Sequence, residues 1–535
     1  MAFSNIDYGF FIAYLVGIII FALWISRKKQ GDQAETTESY FLAGKSLPWW
    51  IIGGSLIASN ISAEQFIGMS GDGFRFGLAI ATYEFMAAAT LLVVAWLMLP
   101  IFLKNNIYTM PQFIEKRFDG NVRTGLAVFW LLIFVFVNIT SVLYLGALTL
   151  EKSLGISLYI GVIGLALYSA TFSIFGGLRT VVWTDLIQVF FLVAGGLATT
   201  YFALDAYGGG AGFLDGLSKL YTNVNDRFNM VLFKGELLYV NDNGETVDAW
   251  EKLPGLSVLI GGMWIANLYY WGTNQYIIQR ALAAKNLKEA RNGIAFAASM
   301  KLILPLIVVI PGIVAYAMKA DLEKGDQVYS YVLSEFIGTG FKGICFAAVV
   351  AAVGSSISSM VNSASTIFTL DLYKHFSKGD KSEAALVRVG KITAAVALLI
   401  GVIIAPQFKA LESAFSFIQK YTGYFSPGIL VIFLFGMFWK RTSAKAALWV
   451  VLISLPLSLG IDIAFPESVL PFINKMGLGF LILSIIIILI SLLDNKGDDK
   501  KALYFEKGLF DTNPVFNIAS IIIVGILAAI YGLMW

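Results

Sequence analysis

Apolar runs of roughly 20 residues, each long enough to cross about 30 Å of hydrocarbon, recur along the whole 535-residue chain. Because lipid offers the backbone no hydrogen-bond partners, a chain that crosses a bilayer must be helical or form a closed barrel. The runs are too long and too continuous for the alternating strands of a barrel. The sequence therefore predicts an all-α membrane protein.

Composition narrows the class of membrane protein. The chain has one cysteine, Cys345, and one histidine, His375, so neither an internal disulfide nor a thiolate metal cluster is expected. We find no nucleophile motif such as G-x-S-x-G, and the loops on the expected inner side are short. These features disfavour a membrane enzyme and a membrane sensor with an output domain.

The polar stretches between apolar runs divide the chain into fourteen predicted transmembrane segments. Their approximate spans are 5–26, 47–71, 76–103, 124–150, 155–175, 181–205, 256–279, 292–318, 338–370, 386–406, 411–436, 443–464, 471–493 and 514–534.

Lys and Arg in the loops set the expected orientation. Basic residues follow the first segment at Arg27, Lys28 and Lys29, which is the wrong polarity for a cleaved signal. With the N-terminus outside, the inner loops of any length are basic, whereas the long loop 206–255 is outside and net acidic. We therefore expect a multi-pass protein of the bacterial inner membrane with both termini extracytoplasmic.

Two predicted segments contain polar runs in mid-membrane. Segment 47–71 includes ASNISAEQ at 58–65, and segment 256–279 includes Asn267, Gly272, Thr273, Asn274 and Gln275. Paired broken helices at matching positions of two halves are typical of transporter binding sites. We predict inverted repeats at 47–205 and 256–436, an extra first helix with its inner loop at 1–46, the extracytoplasmic loop 206–255, and three additional helices at 437–535.

Ionisable and amide side chains inside apolar runs are costly to bury, so they point to function. Five candidates come from five segments: Gln65, Glu84, Asn267, Lys301 and Gln419. They combine donors and acceptors, and NLYYWG at 267–272 adds Tyr270 and Trp271 beside the second break, although a packing or interfacial role is also open. This combination is typical of a sugar site.

A serine-rich run, AAVGSSISSMVNS at 351–363, suggests an oxygen-ligand site for Na⁺. Helix serines often bond back to the preceding turn, and small residues also let helices pack closely. The adjacent pair Ser355 and Ser356 is the better candidate, because it could face the first break, where unwound carbonyl groups suit Na⁺.

Several blocks carry a family resemblance. They are YFLAGKSLPWW (40–50), ASNISAEQFIGMSG (58–71), VNITSVLYLGALTLE (137–151), FGGLRTVVWTDLIQVFFL (175–192), ANLYYWGTNQYIIQRALAAK (266–285) and FAAVVAAVGSSISSMVNSASTIFTLDLYK (346–374). On these blocks the chain resembles the sodium:solute symporter family, and most of all its bacterial members that carry galactose or glucose. The resemblance implies a LeuT-type fold with a five-plus-five inverted repeat and alternating access driven by Na⁺, the co-transported ion.

The resemblance also implies roles for individual residues. The sugar site would comprise Gln65, Glu84, Asn267, Lys301 and Gln419, with Tyr270 as inner gate, Asn60 in support, and Tyr83 and Trp271 alongside. The Na⁺ site would use carbonyl groups of Ala58, Ile61 and Ala352 and the hydroxyls of Ser355 and Ser356, with Asp185 on the ion exit path.

One departure concerns the choice of sugar. Ala87 stands where galactose carriers of the family have serine, so one hydrogen bond to the sugar is lost and glucose or another hexose becomes an alternative. A Na⁺ symporter for sialic acid, proline or an inositol remains the other reading.

Overall fold

The computed structural model describes residues 4–27, 36–62, 64–241, 244–322, 324–377, 381–410, 414–494 and 497–535. The described chain is mostly helical. It contains 10 helices long and apolar enough to cross a membrane, or up to 11 if one bent pair counts as a span. The expected all-α membrane architecture is confirmed in this coarser form.

The helices before the long loop are Asn5–Arg27, Thr37–Phe41, Trp49–Asn60, Glu64–Met69, Ser70–Phe76, Thr82–Val93, Val94–Met98, Leu99–Lys104, Met110–Arg117, Gly120–Leu132, Ile133–Ile139, Thr140–Leu154 and Leu158–Gly208. Those after it are Leu256–Ile260, Gly262–Gly272, Gln275–Leu282, Leu287–Lys301, Leu304–Val308, Ile310–Ala317, Val328–Phe336, Phe341–Ile367, Phe368–Tyr373, Lys374–Phe376, Glu383–Ile404, Ala414–Phe438, Ala444–Ala464, Phe472–Asp494 and Pro514–Leu533.

The first break is where the polar run predicts it. Helix Trp49–Asn60 ends, Ile61 is extended with φ −75° and ψ 106°, and helix resumes at Glu64. We call Trp49–Asn60 with Glu64–Phe76 the first broken helix. Its unwound residues leave backbone carbonyl groups without helical partners, as a cavity or ion site requires.

The second break lies in the C-terminal part of the polar run that predicts it. Helix Gly262–Gly272 runs unbroken through Asn267, and the chain unwinds at Thr273 and Asn274 before Gln275–Leu282. Asn267 fits inside the helix because its side-chain amide donates to the carbonyl of Met263, 3.1 Å away. We call Gly262–Gly272 with Gln275–Leu282 the second broken helix.

Two glycines divide apolar stretches that would otherwise continue as one helix. Gly77 has φ +70°, and a Cβ there would lie 2.2 Å from the carbonyl oxygen of Arg227. Gly177 has φ +57° inside Leu158–Gly208, and a Cβ there would lie 2.4 Å from the carbonyl oxygen of Tyr40. Only glycine fits both the conformation and the close approach.

The long loop 206–255 is partly ordered into regular structure. It contains the helix Phe213–Asn223 and an antiparallel hairpin of strands Leu238–Val240 and Thr246–Asp248.

Helix Phe341–Ile367, which we call the serine helix, lies at the centre of the bundle. It packs against Leu158–Gly208, Asn5–Arg27 and Trp49–Asn60. From Phe346 to Ile367 every residue is buried, so its hydroxyl groups need partners within the protein.

Candidate functional site

A cavity of about 110 Å³ lies between the two broken helices and the helices Thr82–Val93, Leu287–Lys301 and Ala414–Phe438. One water needs only about 10–15 Å³ on this measure, so the space accommodates a small solute. The cavity is lined by Asn60, Gln65, Met69, Tyr83, Glu84, Ala87, Asn138, Ala266, Asn267, Tyr269, Tyr270, Trp271, Asn274, Tyr276, Lys301, Ile418, Gln419, Thr422, Gly423, Ser426, Phe472 and Met476. All nine residues expected around a sugar are among them.

A buried ion pair forms one wall of the cavity. The ammonium of Lys301 donates to a carboxylate oxygen of Glu84 and to the side-chain oxygen of Asn60. The two charged side chains are only 1% and 5% exposed. The ammonium also lies 5.0 Å from the ring centre of Trp271, a cation–π distance. This wall therefore offers acceptors and donors while its net charge stays zero.

Tyrosine hydroxyl groups connect the two broken helices next to that pair. The amide of Asn60 donates to the hydroxyl of Tyr270 at 3.0 Å, and the hydroxyls of Tyr270 and Tyr276 lie 2.6 Å apart. The Tyr270 ring stands edge-on to Trp271 with centres 5.1 Å apart. Both Tyr270 and Asn60 line the cavity.

Two of the other expected amides, Gln65 and Asn267, are held by local hydrogen bonds. The Gln65 side-chain oxygen accepts from the backbone and the hydroxyl of Ser62, both at 2.9 Å, which fixes the unwound turn. The Trp271 indole donates to the side-chain oxygen of Asn267 at 3.2 Å.

Several polar residues of the cavity lie outside the set expected from the sequence. The side-chain oxygens of Asn138, Asn274 and Thr422 are buried without a hydrogen-bond partner among the described residues. An unpaired buried oxygen costs about 1–3 kcal/mol, so a hydroxyl-rich ligand that bonds to these atoms gains affinity. Asn138 could have been found from the sequence, because it is a lone amide inside the apolar run 124–150.

The serine helix meets the first break at Ser356. Its hydroxyl lies 3.1 Å from the carbonyl oxygen of Ser59 and 3.5 Å from that of Ile61. Ala58, Ile61 and Ala352 are all fully buried at this contact between the two elements. Carbonyl and hydroxyl oxygens gathered at an unwound helix end are ligands that suit Na⁺.

Ser355 points to a different group from Ser356. It donates to one carboxylate oxygen of Asp185 at 2.5 Å, and Ser55 donates to the other at 2.5 Å. Arg280, from the second broken helix, lies 3.3 Å from Asp185 and also donates to Ser359, with both charged side chains fully buried. The sequence reasoning missed Arg280, which stands just past the apolar segment 256–279.

Two broken helices on either side of a polar cavity are typical of secondary transporters. The fold agrees: a sodium-coupled sialic acid symporter, in a substrate-bound outward-open state, superposes with a TM-score of 0.80 at 22% identity, covering 94% of this chain and 100% of that one. A nucleobase-cation-symport-1 family transporter superposes at 0.56 with 12% identity, covering 87% and 98%.

Residues 40–454 match the sodium:solute symporter family, and the chain belongs to that family. A sodium/glucose cotransporter of Vibrio parahaemolyticus is 47% identical over 99% of this chain and 100% of that protein. A human sodium/myo-inositol cotransporter 2 is 34% identical over 85% of this chain and 69% of that protein.

Proposed function

We propose that this protein takes up glucose or galactose together with Na⁺ by alternating access. One observation carries the proposal: a single cavity is lined by the neutralised pair of Lys301 and Glu84 and by amides that both donate and accept. An uncharged polyol matches such a surface. The near full-length similarity to a sodium/glucose cotransporter supports the same substrate class.

A carboxylate substrate such as sialic acid or proline fits less well. Glu84 would repel it, and the ammonium of Lys301 already pairs with Glu84. A cyclic polyol is the second candidate, because myo-inositol cotransporters are among the relatives and an inositol presents a ring of hydroxyl groups like a hexose.

For the sugar, we propose contacts with Gln65, Glu84, Asn267, Lys301 and Gln419. Tyr270 serves as the inner gate with Asn60 in support, and Tyr83 and Trp271 lie alongside. The hydrogen bond from Asn60 to Tyr270 supports the gate, because it links the two broken helices through two residues that line the cavity.

For Na⁺, we propose ligation by the carbonyl oxygens of Ala58, Ile61 and Ala352 and by the hydroxyls of Ser355 and Ser356. The contacts of Ser356 with the carbonyl groups of the first break support this set. The Ser355 hydroxyl, which donates to Asp185 in this structure, joins the ligand set by rotating away from that carboxylate. Asp185 then lies next to the path by which Na⁺ leaves the site. Ordering of the break by Na⁺ pre-organises Gln65 and Glu84, and by linkage the sugar strengthens Na⁺ binding equally.

For the architecture, we propose fourteen transmembrane helices with a five-plus-five inverted repeat at 47–205 and 256–436. We reach fourteen by assigning Gln65–Phe76 to the first broken helix and leaving the rest of the span Gln65–Lys104 as one of the 10 long apolar spans. The other three additions are the bent pair Leu287–Lys301 with Leu304–Ala317, the shorter apolar helix Leu158–Ile174 and the second broken helix. We place the protein in the bacterial inner membrane with both termini, and the loop 206–255, on the outer side.

Uptake into liposomes that contain the purified protein tests the proposal. Labelled glucose and galactose should accumulate with Na⁺ outside and not with K⁺ outside. At 100 mV inside-negative each Na⁺ adds about 2.3 kcal/mol, which alone concentrates an uncharged sugar roughly fiftyfold. Unlabelled myo-inositol, sialic acid and proline serve as competitors. Uptake that is equal in K⁺, or that only a non-sugar inhibits, contradicts the proposal.

A further inference from the structure

A second cavity, of about 360 Å³, lies where the helix Leu99–Lys104 ends and Leu287–Lys301 begins. It shares no residue with the central cavity. Its lining residues are Lys45, Pro100, Leu103, Lys104, Asn106, Ile107, Leu282, Ala284, Lys285, Asn286, Leu287 and Leu509. We call it the lysine pocket.

Three lysines from three separate segments converge on the lysine pocket with little acidic compensation. Lys104 pairs with Glu506 at 2.8 Å, but the Glu506 side chain is 81% exposed, and such surface pairs contribute little. Among the described residues no carboxylate forms an ion pair with Lys45 or Lys285. Lys45 instead lies 3.5 Å from the side-chain oxygen of Asn106 and 4.6 Å from the ring centre of Tyr108. The pocket thus carries excess positive charge.

The backbone around these lysines is held in an unfavourable conformation. Lys45 and Asn106 both have φ +48°, and among the described residues only Ala43 and Lys319 share a positive φ without being glycine. Such conformations are strained and persist where the surroundings fix them, often at ligand sites. Lys45 is fixed because Leu47 pairs with the chain before Lys285: Leu47 N–H donates to the Ala283 carbonyl and Lys285 N–H to the Leu47 carbonyl, both at 3.1 Å.

The remaining walls of the lysine pocket are apolar. They consist of Pro100, Leu103, Ile107, Leu282, Leu287 and Leu509. A free anion gains nothing from apolar walls, whereas a lipid brings a glycerol and acyl region next to its charged headgroup. The position at the ends of membrane-length helices is also the depth at which headgroups lie.

We propose that the lysine pocket binds the phosphate of an anionic phospholipid headgroup, with Lys45, Lys104 and Lys285 as its cationic contacts. A bound lipid contacts both Lys45, just before the first broken helix, and Lys285, just after the second broken helix, and so connects these two segments. It therefore stabilises the conformation in which Leu47 pairs with the 283–285 segment. The proposal concerns lipid binding and holds whichever solute the protein carries.

Thermal unfolding of the full chain in mixed micelles tests it. Dioleoylphosphatidylglycerol should raise the unfolding midpoint, because a ligand of the folded state stabilises it, while dioleoylphosphatidylcholine should not. Each lysine near a lipid surface is worth about 1 kcal/mol, or about fivefold in affinity. The triple variant K45Q/K104Q/K285Q should need about a hundredfold more phosphatidylglycerol for the same shift.

A matched variant removes the same charge elsewhere. K381Q/K445Q/K500Q changes three exposed lysines outside the pocket and should respond as the wild type does. If the pocket triple variant keeps its response, or the matched triple loses as much, the proposal is wrong. If millimolar inorganic phosphate alone reproduces the shift, the site binds free anions and the lipid assignment is overturned. Should the pocket triple fail to fold, Lys285→Gln alone must still weaken the response about fivefold.

Discussion

Replacing Lys301 with Met should both destabilise the protein and abolish sugar uptake. The change leaves Glu84 in a cavity wall without its cation, and both side chains are at most 5% exposed in the native pair. Removing one partner of such a pair costs about 3–5 kcal/mol, most of it for the unpaired buried charge that remains. We therefore expect a clear fall in the thermal unfolding midpoint.

The double variant Lys301→Met with Glu84→Gln separates stability from binding. It has no unpaired charge, so most of the lost stability should return, as replaced buried pairs are often near neutral. Uptake should remain abolished, because the sugar still lacks its charged donor and acceptor. Lys475→Met is the matched control, because this lysine is also buried but pairs with Asp462 and not with Glu84. Asp462 keeps a second cationic partner, Lys420, at 2.8 Å, so uptake should persist.

Unfolding midpoints and initial rates of labelled glucose uptake in liposomes give both readouts for the four proteins. If the double variant is no more stable than Lys301→Met, the cost does not arise from an unpaired charge. If the double variant recovers uptake, the pair does not contact the sugar.

Three further changes test the ion site, the choice of sugar and the gate. Ser356→Ala should raise the Na⁺ concentration needed for half-maximal uptake, because a hydroxyl ligand is lost; an unchanged Na⁺ dependence refutes the ion site. Ala87→Ser should favour galactose relative to glucose in competition assays by about 2- to 12-fold, the worth of one neutral hydrogen bond at about 0.5–1.5 kcal/mol; an unchanged ratio places Ala87 away from the sugar. Tyr270→Phe loses the bonds to Asn60 and Tyr276, so preloaded sugar should leave liposomes faster in exchange assays, and an unchanged rate argues against a gate.

Burial cost explains why the sugar-site candidates were predictable from sequence. A charged or amide side chain in an apolar run persists only where it lines a cavity or finds a partner, and Glu84 and Lys301 each lie several residues inside such a run. The first break was equally predictable, since a polar run such as 58–65 in mid-membrane is tolerated only where it lines a cavity or an ion site. Of the residues that predict the second break, Asn267 remains helical because its side chain donates to the carbonyl of Met263 in its own helix.

Long-range pairing explains what the sequence did not reveal. The direction of the Ser355 hydroxyl depends on Asp185, which is 170 residues away in the chain, so no local pattern encodes it. Arg280 resembled an ordinary basic residue at a helix end until the fold brought it to Asp185. The convergence of Lys45, Lys104 and Lys285 was hidden for a similar reason, because isolated loop lysines indicate only orientation.

The buried ion pairs Lys301–Glu84 and Arg280–Asp185 have a consequence for the electrical behaviour of the transport cycle. Lys301 cancels Glu84 and Arg280 cancels Asp185, so the unloaded carrier holds no net charge at either pair. A membrane voltage acts on a moving charge with about 2.3 kcal/mol per 100 mV. It therefore drives the inward step of the carrier with bound Na⁺ and sugar, because that step moves a positive charge. It does not oppose the return of the empty carrier, because that step moves no net charge. In a planar bilayer without Na⁺, a voltage jump should therefore evoke no transient current from the protein. A capacitive transient under those conditions would mean that one of the two ion pairs separates during the return of the empty carrier.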